Sequence, residues 1–260
     1  MTMKRRNLIL ASAGIAGTMI SGSVWTAQPC PPQHVSVAGG TSVSTPCTMI
    51  SAGTYFTSFE LPENPISEGS GWVNGEATGQ QWSNVQTGSG NVYGSRLVDY
   101  AGVGRYSDPI AHLSTSVMTF SANQYVQGTV HRVPGYQNPS GGHEIELLLR
   151  FRITANNARG YEVLWAQDGG IAIVRWNGPS GDYTPLFETG PGYRVSVDGD
   201  VFRVEIGSDN RVRVYINGEL KITGPEDATI ATGQPGIGFW PTPGSTLSSY
   251  GWKDFRAGNL

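Results

Sequence analysis

From His143 to Ile153 the chain reads His-Glu-Ile-Glu-Leu-Leu-Leu-Arg-Phe-Arg-Ile. Large apolar residues stand at Ile145, Leu147, Leu149, Phe151 and Ile153, with Glu144, Glu146, Leu148, Arg150 and Arg152 between them. A period of two predicts a β-strand with one face in a core and a second face carrying charge. A strand of this length belongs to a broad sheet. The same alternation recurs downstream. Tyr125 to Val133 predicts a strand joined to the long one by the Pro/Gly/Asn/Ser stretch 134–142, and the two are expected to pair antiparallel. Tyr161 to Gln167 and Ile171 to Trp176 flank Asp168-Gly169-Gly170, a hairpin turn. Val201 to Ile206 and Arg211 to Ile216 put Phe202, Val204, Ile206, Val212, Val214 and Ile216 inward, and Asn217-Gly218 predicts a type I′ turn into Glu219 to Ile222. Tyr55 to Phe59, Ile237 to Trp240 and Ser248 to Ala257 complete the set, whereas Glu60 to Gly94 reads as loop. Almost no stretch has a helical period. About a dozen short strands at this spacing predict an all-β sandwich or jelly roll.

Composition narrows the class. The 260 residues include 36 glycines and 16 prolines, and charged residues make up 14%, well below the roughly 25% of an ordinary soluble domain. The formal charge is −3, and no basic run follows the N-terminus, so nucleic acid is not expected as a partner. Lys4, Arg5 and Arg6 precede an apolar run from Leu8 to Ile20 that is too short for a comfortable membrane span. Residues 1–27 therefore read as an export signal, with Arg5-Arg6 similar to the start of a twin-arginine signal, and the mature protein is expected to be secreted or periplasmic without a membrane span. Residues 28–54 read as a Ser/Thr/Gly/Pro-rich linker, and residues 55–260 as one domain. Cys30 and Cys47 are the two cysteines, expected to form one disulfide in an oxidising compartment. Neither has the neighbours a metal site requires.

Arg211-Val-Arg-Val-Tyr-Ile-Asn-Gly218, Gly233-Gln-Pro-Gly-Ile-Gly-Phe239 and Trp252-Lys-Asp-Phe-Arg-Ala-Gly258 resemble segments of laminin-G-like and concanavalin A-like jelly rolls, from about Tyr55 to the C-terminus. The resemblance implies two antiparallel sheets, a sheet face that receives a glycan or polysaccharide, and in many relatives a structural calcium. Asp198, Asp200 and Asp254 are the carboxylates considered for such an ion. Fold alone does not choose a function.

Three functional classes follow. In the binding reading, aromatic platforms and polar neighbours hold sugar rings. Trp176 and Tyr183 bound a polar loop, Tyr161 and Trp165 share strand parity and are expected to stack beside it, and Gln127, Arg150 and Arg152 supply polar contacts. In the enzyme reading, Glu144-Ile-Glu146 resembles the opening of a laminarinase-type glucanase motif, although Leu148 and Leu149 stand where its second glutamate belongs. The bland account of Glu144 and Glu146 is pairing with Arg150, Arg152 or cross-strand neighbours on an exposed face. A lyase would instead use His131 as base, with Arg150 and Arg152 converging on the Tyr125/Gln127/Thr129/His131 face, yet the alginate-lyase motifs are not intact. The third class is a structural or protein-interaction module.

Overall fold

The computed structural model describes residues 53–76, 82–88, 90–98, 108–139 and 142–260, together with the backbone of three short strands before them. Residues 1–27, read above as an export signal, and Cys30 and Cys47 lie outside the described residues, so the expected disulfide does too. Among the described residues no helix is long and apolar enough to cross a membrane.

Eighteen strands follow in order: β1 (His34–Ser36), β2 (Ser42–Ser44), β3 (Met49–Ser51), β4 (Thr54–Thr57), β5 (Trp72–Asn74), β6 (Val85–Gly88), β7 (Asn91–Gly94), β8 (Ile110–Leu113), β9 (Gln124–Arg132), β10 (His143–Thr154), β11 (Asn157–Ala166), β12 (Ile171–Gly178), β13 (Tyr183–Glu188), β14 (Val201–Ile206), β15 (Arg211–Ile216), β16 (Glu219–Glu226), β17 (Gln234–Pro241) and β18 (Tyr250–Asn259). One sheet has the order β13-β12-β11-β10-β17-β8-β5, and a second has the order β16-β15-β14-β9-β18-β4-β3, with β7 also paired to β18 and β6 to β7. All of these pairings are antiparallel. The two sheets form a jelly-roll β-sandwich, the class the alternation predicted.

The main core is built where inward positions of both sheets meet. Ile145, Leu147 and Leu149 of β10, Val163 and Trp165 of β11, Phe202, Val204 and Ile206 of β14, and Trp252 and Phe255 of β18 are buried there. Phe202 stacks on Trp252 with ring centroids 6.0 Å apart and planes 10° apart. Burying a side chain of this size stabilises by about 1.5–3 kcal/mol, so the inward residues outweigh any single surface pairing.

Three expectations are corrected here. First, β9 and β10 are not neighbours: β9 pairs with β14 and β18 in one sheet, and β10 with β11 and β17 in the other. The connection after β9 carries the chain from one sheet to the other. Second, the alternation of β10 breaks at Arg150, whose φ of 47° lies in the left-handed region and where both ladders shift register. One extra residue in a bulge exchanges the two faces of the strand beyond it. Phe151 and Ile153 therefore leave the main core and pack with Leu148, Trp82, Ile110, Ala158 and Trp176 on the outer face of the seven-stranded sheet. Third, the stretch read as loop, Glu60 to Gly94, contains β5, β6 and β7.

Candidate functional site

The outer face of the seven-stranded sheet is covered, not solvated. Its rows run across the strands: Leu164, Glu146, Gly238 and Ile110 in one, and Val174, Glu162, Leu148, Gly236 and His112 in the next. Most are apolar or glycine, and this composition suits a face hidden on both sides. Trp82, from the segment before β6, lies on it with its ring centroid 4.7 Å from that of Trp176 in an edge-on arrangement.

Within this apolar setting sit three carboxylates. Glu146 and Glu162 are diagonal neighbours on adjacent strands, and Asp108 reaches them from just ahead of β8. All three are buried, and one carboxylate oxygen of each lies within 4.8 Å of the others. Glu162 accepts a hydrogen bond from Trp176 Nε1 at 2.6 Å, tying the cluster to the aromatic pair. Glu146 has room because its partner on β17 is Gly238, where a Cβ would collide with the carboxylate.

Buried carboxylates are strong acceptors for hydroxyl and amide donors. Their oxygens, all within 4.8 Å of one another, lie inside the roughly 5–5.5 Å that separates the two carboxyl groups of a retaining glycosidase. An all-oxygen set is also the donor chemistry that calcium or magnesium takes, so Asp108, Glu146 and Glu162 are the residues that would hold such an ion. The aspartates first considered do not gather. Asp198 is engaged by Lys253 Nζ and Arg132 N, Asp200 by Arg194, Asn217 and Val197 N, and Asp254 by Thr129 N.

The rim of this face lies at β12 and β13. Tyr183 is half-buried with its ring centroid 5.3 Å from that of Trp176. On the opposite side of β12, the side of Tyr161, Asn177 Nδ2 donates to Asp182 and to Thr184, at 3.1 Å each, and Arg175 Nε donates to Asn177 Oδ1 at 3.0 Å. Arg175 is anchored in turn by an ion pair with Asp227.

The other expected site residues divide among separate regions. Tyr161 and Trp165 point into the main core, opposite Trp176, so they cannot stack beside it. The Tyr161 hydroxyl donates to Asp227 O at 2.6 Å, and Trp165 Nε1 donates to Arg194 O at 2.6 Å. Arg150 is 1% exposed and directs its guanidinium between loops, donating to Ala122 O, Ile230 O, Asn210 Oδ1 and Gly207 O. These contacts exclude it as the partner expected for Glu144 or Glu146, and both glutamates are buried. Arg152 is exposed. Gln127 and His131 lie on β9, on the outer face of the other sheet, with His131 beside Asp198. The convergence a lyase would need between His131 and Arg150 is absent.

Asp108 and Glu162 were missed at the sequence level. Glu162 stands between the core residues Tyr161 and Val163, on the parity of Leu164. A lone charge on a strand whose outward neighbours are apolar is the signal that could have found it. Asp108 carries no such pattern.

No protein-family model and no curated protein matches the chain. Among solved structures, it is similar to a carbohydrate-binding module, CBM66 of Bacillus subtilis, at 15% identity and TM-score 0.46, covering 75% of this chain and 96% of that one. The metal-free carbohydrate recognition domain of Emp46p is 12% identical with TM-score 0.48, over 77% and 93% of the two chains. A structure described as a native glycosidic hydrolase is 13% identical with TM-score 0.48, over 80% and 97%. These likenesses assign no activity to the chain.

Proposed function

We propose that the protein is an exported carbohydrate-binding jelly roll whose ligand is received at the Tyr183 rim of the outer face of the seven-stranded sheet. The observation that carries this reading is the meeting, on one sheet face, of three carboxylates with the Trp176 and Tyr183 rings. A sugar offers hydroxyl donors and an apolar ring face together, and acceptors beside aromatic rings answer both. Tyr183, half-buried at the rim, is the ring a saccharide meets, and the buried Glu162 fixes the Trp176 indole behind it. Export rests on Lys4, Arg5, Arg6 and the apolar run behind them, and agrees with a polysaccharide ligand outside the cell.

A second reading, glycoside hydrolysis, is favoured by one specific observation. The Asp108, Glu146 and Glu162 oxygens lie within 4.8 Å of one another, close enough for one carboxyl to donate a proton to the leaving oxygen while another attacks or activates water.

The test incubates the purified protein with a panel of neutral polysaccharides and follows retention on insoluble polymer and new reducing ends in the same tubes. Retention weakened about tenfold in Tyr183→Ala and Glu162→Gln, the loss of one good charged hydrogen bond or ring contact, without products, supports binding. New reducing ends that vanish in Glu146→Gln convert the assignment to a hydrolase. Neither signal on any polymer leaves the interaction-module class and overturns both readings.

A further inference from the structure

The outer face of the nine-stranded sheet is a separate surface. One row crosses five strands: Phe56 on β4, Arg256 on β18, Gln127 on β9, Arg203 on β14 and Tyr215 on β15. Tyr125 adjoins the row, two residues along β9 from Gln127. Its partner on β18 is Gly258, where a Cβ would meet the Tyr125 ring at 2.6 Å, so the ring lies across that strand.

Both guanidiniums in the row rest on rings. Arg203 lies 3.7 Å from the Tyr125 centroid and Arg256 lies 5.2 Å from the Phe56 centroid. A guanidinium laid on an aromatic face is held by it and keeps its edge N–H donors free for a planar acceptor. Two strand spacings, roughly 9.5 Å, separate the Cα positions of the two arginines, and the Gln127 amide stands between them.

What these donors are not doing identifies what they would take. Arg203 is committed on one edge, where both Nε and Nη2 lie 2.7 Å from Glu205 Oε1. Among the described residues, the side chains of Arg256 and Gln127 make no hydrogen bond and no ion pair, although both are only half-exposed. The neighbouring carboxylates are otherwise engaged. Glu205 is held by Arg203, and Asp254 accepts from Thr129 N at 3.0 Å, with burial pushing its carboxyl up. The five guanidinium donors of Arg256 and the Gln127 amide, side by side on one sheet face, are left for an acceptor from outside. A row that crosses five strands suits an extended polymer laid across them, and the unspent cation selects one that carries acidic groups.

We propose that this face binds an acidic, uronate-bearing polysaccharide, with Arg256 taking a carboxylate, Gln127 the adjoining hydroxyls and Arg203 a further acidic group along the polymer. The choice of a sugar acid over another polycarboxylate rests on the glycan reading above. The requirement for a carboxylate does not.

The test is calorimetric titration of the full chain with polygalacturonate, with its fully methyl-esterified form, and with poly-L-glutamate. Polygalacturonate is expected to bind at least about tenfold more tightly than its ester, the difference made by one lost charge-assisted contact, and more tightly than poly-L-glutamate, which keeps the carboxylates but lacks the hydroxyls offered to Gln127; its binding weakens as salt rises. Arg256→Gln is expected to weaken it by a similar factor with only a small drop in unfolding temperature, because the Arg256 side chain holds no protein acceptor and gives up only its contact with the Phe56 ring. Arg159→Gln, an exposed arginine of the other sheet, leaves it unchanged. Equal binding of the ester or of poly-L-glutamate, indifference to Arg256→Gln, or no binding of polygalacturonate would each overturn the proposal. The two sites fail separately. A protein that is retained on neutral polymers but ignores polygalacturonate loses only this surface. One that binds polygalacturonate through Arg256 while the neutral panel stays silent loses only the other.

Discussion

Gly238 sits opposite Glu146 in the ladder, and the carboxylate occupies the space its missing side chain leaves. Gly238→Ala would drive a methyl group into that carboxylate, and inserting a methyl into a filled site costs about 1–3 kcal/mol. Urea unfolding should register a loss of this size, and retention on polysaccharide should fall with it if Glu146 contacts the sugar. Arg150 illustrates the opposite case, in which residue type misleads. Alternation predicted an outward arginine beside two outward glutamates. A left-handed backbone at that single residue instead turns it inward among carbonyl oxygens. Nothing in the local sequence announces a bulge there, because its cause lies in partners 28 and 80 residues away.

At the scale of the element, β14 and β15 begin and end where alternation puts them, and the turn after β15 has the conformation its sequence predicts. Asn217 and Gly218 have φ of 53° and 81°, as a type I′ turn requires. Asn217 contributes more than its backbone: Oδ1 accepts from Val201 N at 2.8 Å, and Nδ2 donates to Asp200 Oδ1 at 2.9 Å. Asn217→Ala is therefore expected to destabilise by about 2 kcal/mol, since it loses two hydrogen bonds as well as left-handed tolerance. Gly218→Ala should cost about 1 kcal/mol for the backbone alone, and denaturant midpoints of the two variants would order them. These strands were legible because one face meets a core and the other meets water. By contrast, β10, β11 and β12 are buried on both faces, so the period-two signal fades and their three glutamates, Glu144, Glu146 and Glu162, look like surface charge. The pairing of β9 with β18 was illegible for another reason: it joins residues more than a hundred positions apart, with no turn between them to dictate it.

Across the whole molecule, the clearest electrostatic liability is a buried histidine. His143 lies between Tyr136 and Tyr250, its Nδ1 2.7 Å from the Tyr136 hydroxyl, and burial with the nearby Arg132 charge lowers its pKa from 6.5 to about 3. The unfolded chain thus accepts a proton at a pH where the folded chain refuses it. Stability is complete above about pH 6.5 and drains away as pH falls toward 3, by roughly 1.4 kcal/mol per pH unit. His112, also lowered by burial, adds to the same trend. Glu68, raised by burial, works against it at lower pH. Urea midpoints measured from pH 7 to pH 4.5 should fall steeply in the natural protein and more gently in His143→Gln.

The guanidinium of Arg150 has a further consequence at this scale. By bonding the turn after β14, the chain before β9 and the approach to β17, it stitches four stretches of chain into one closed end. An end held this way has no cheap partial opening, so its amides should exchange with deuterium only when the whole domain unfolds. Around Tyr193, Val195 and Val197, all exposed, exchange should be complete long before. The sandwich would then open as a purse does, from the unclasped side.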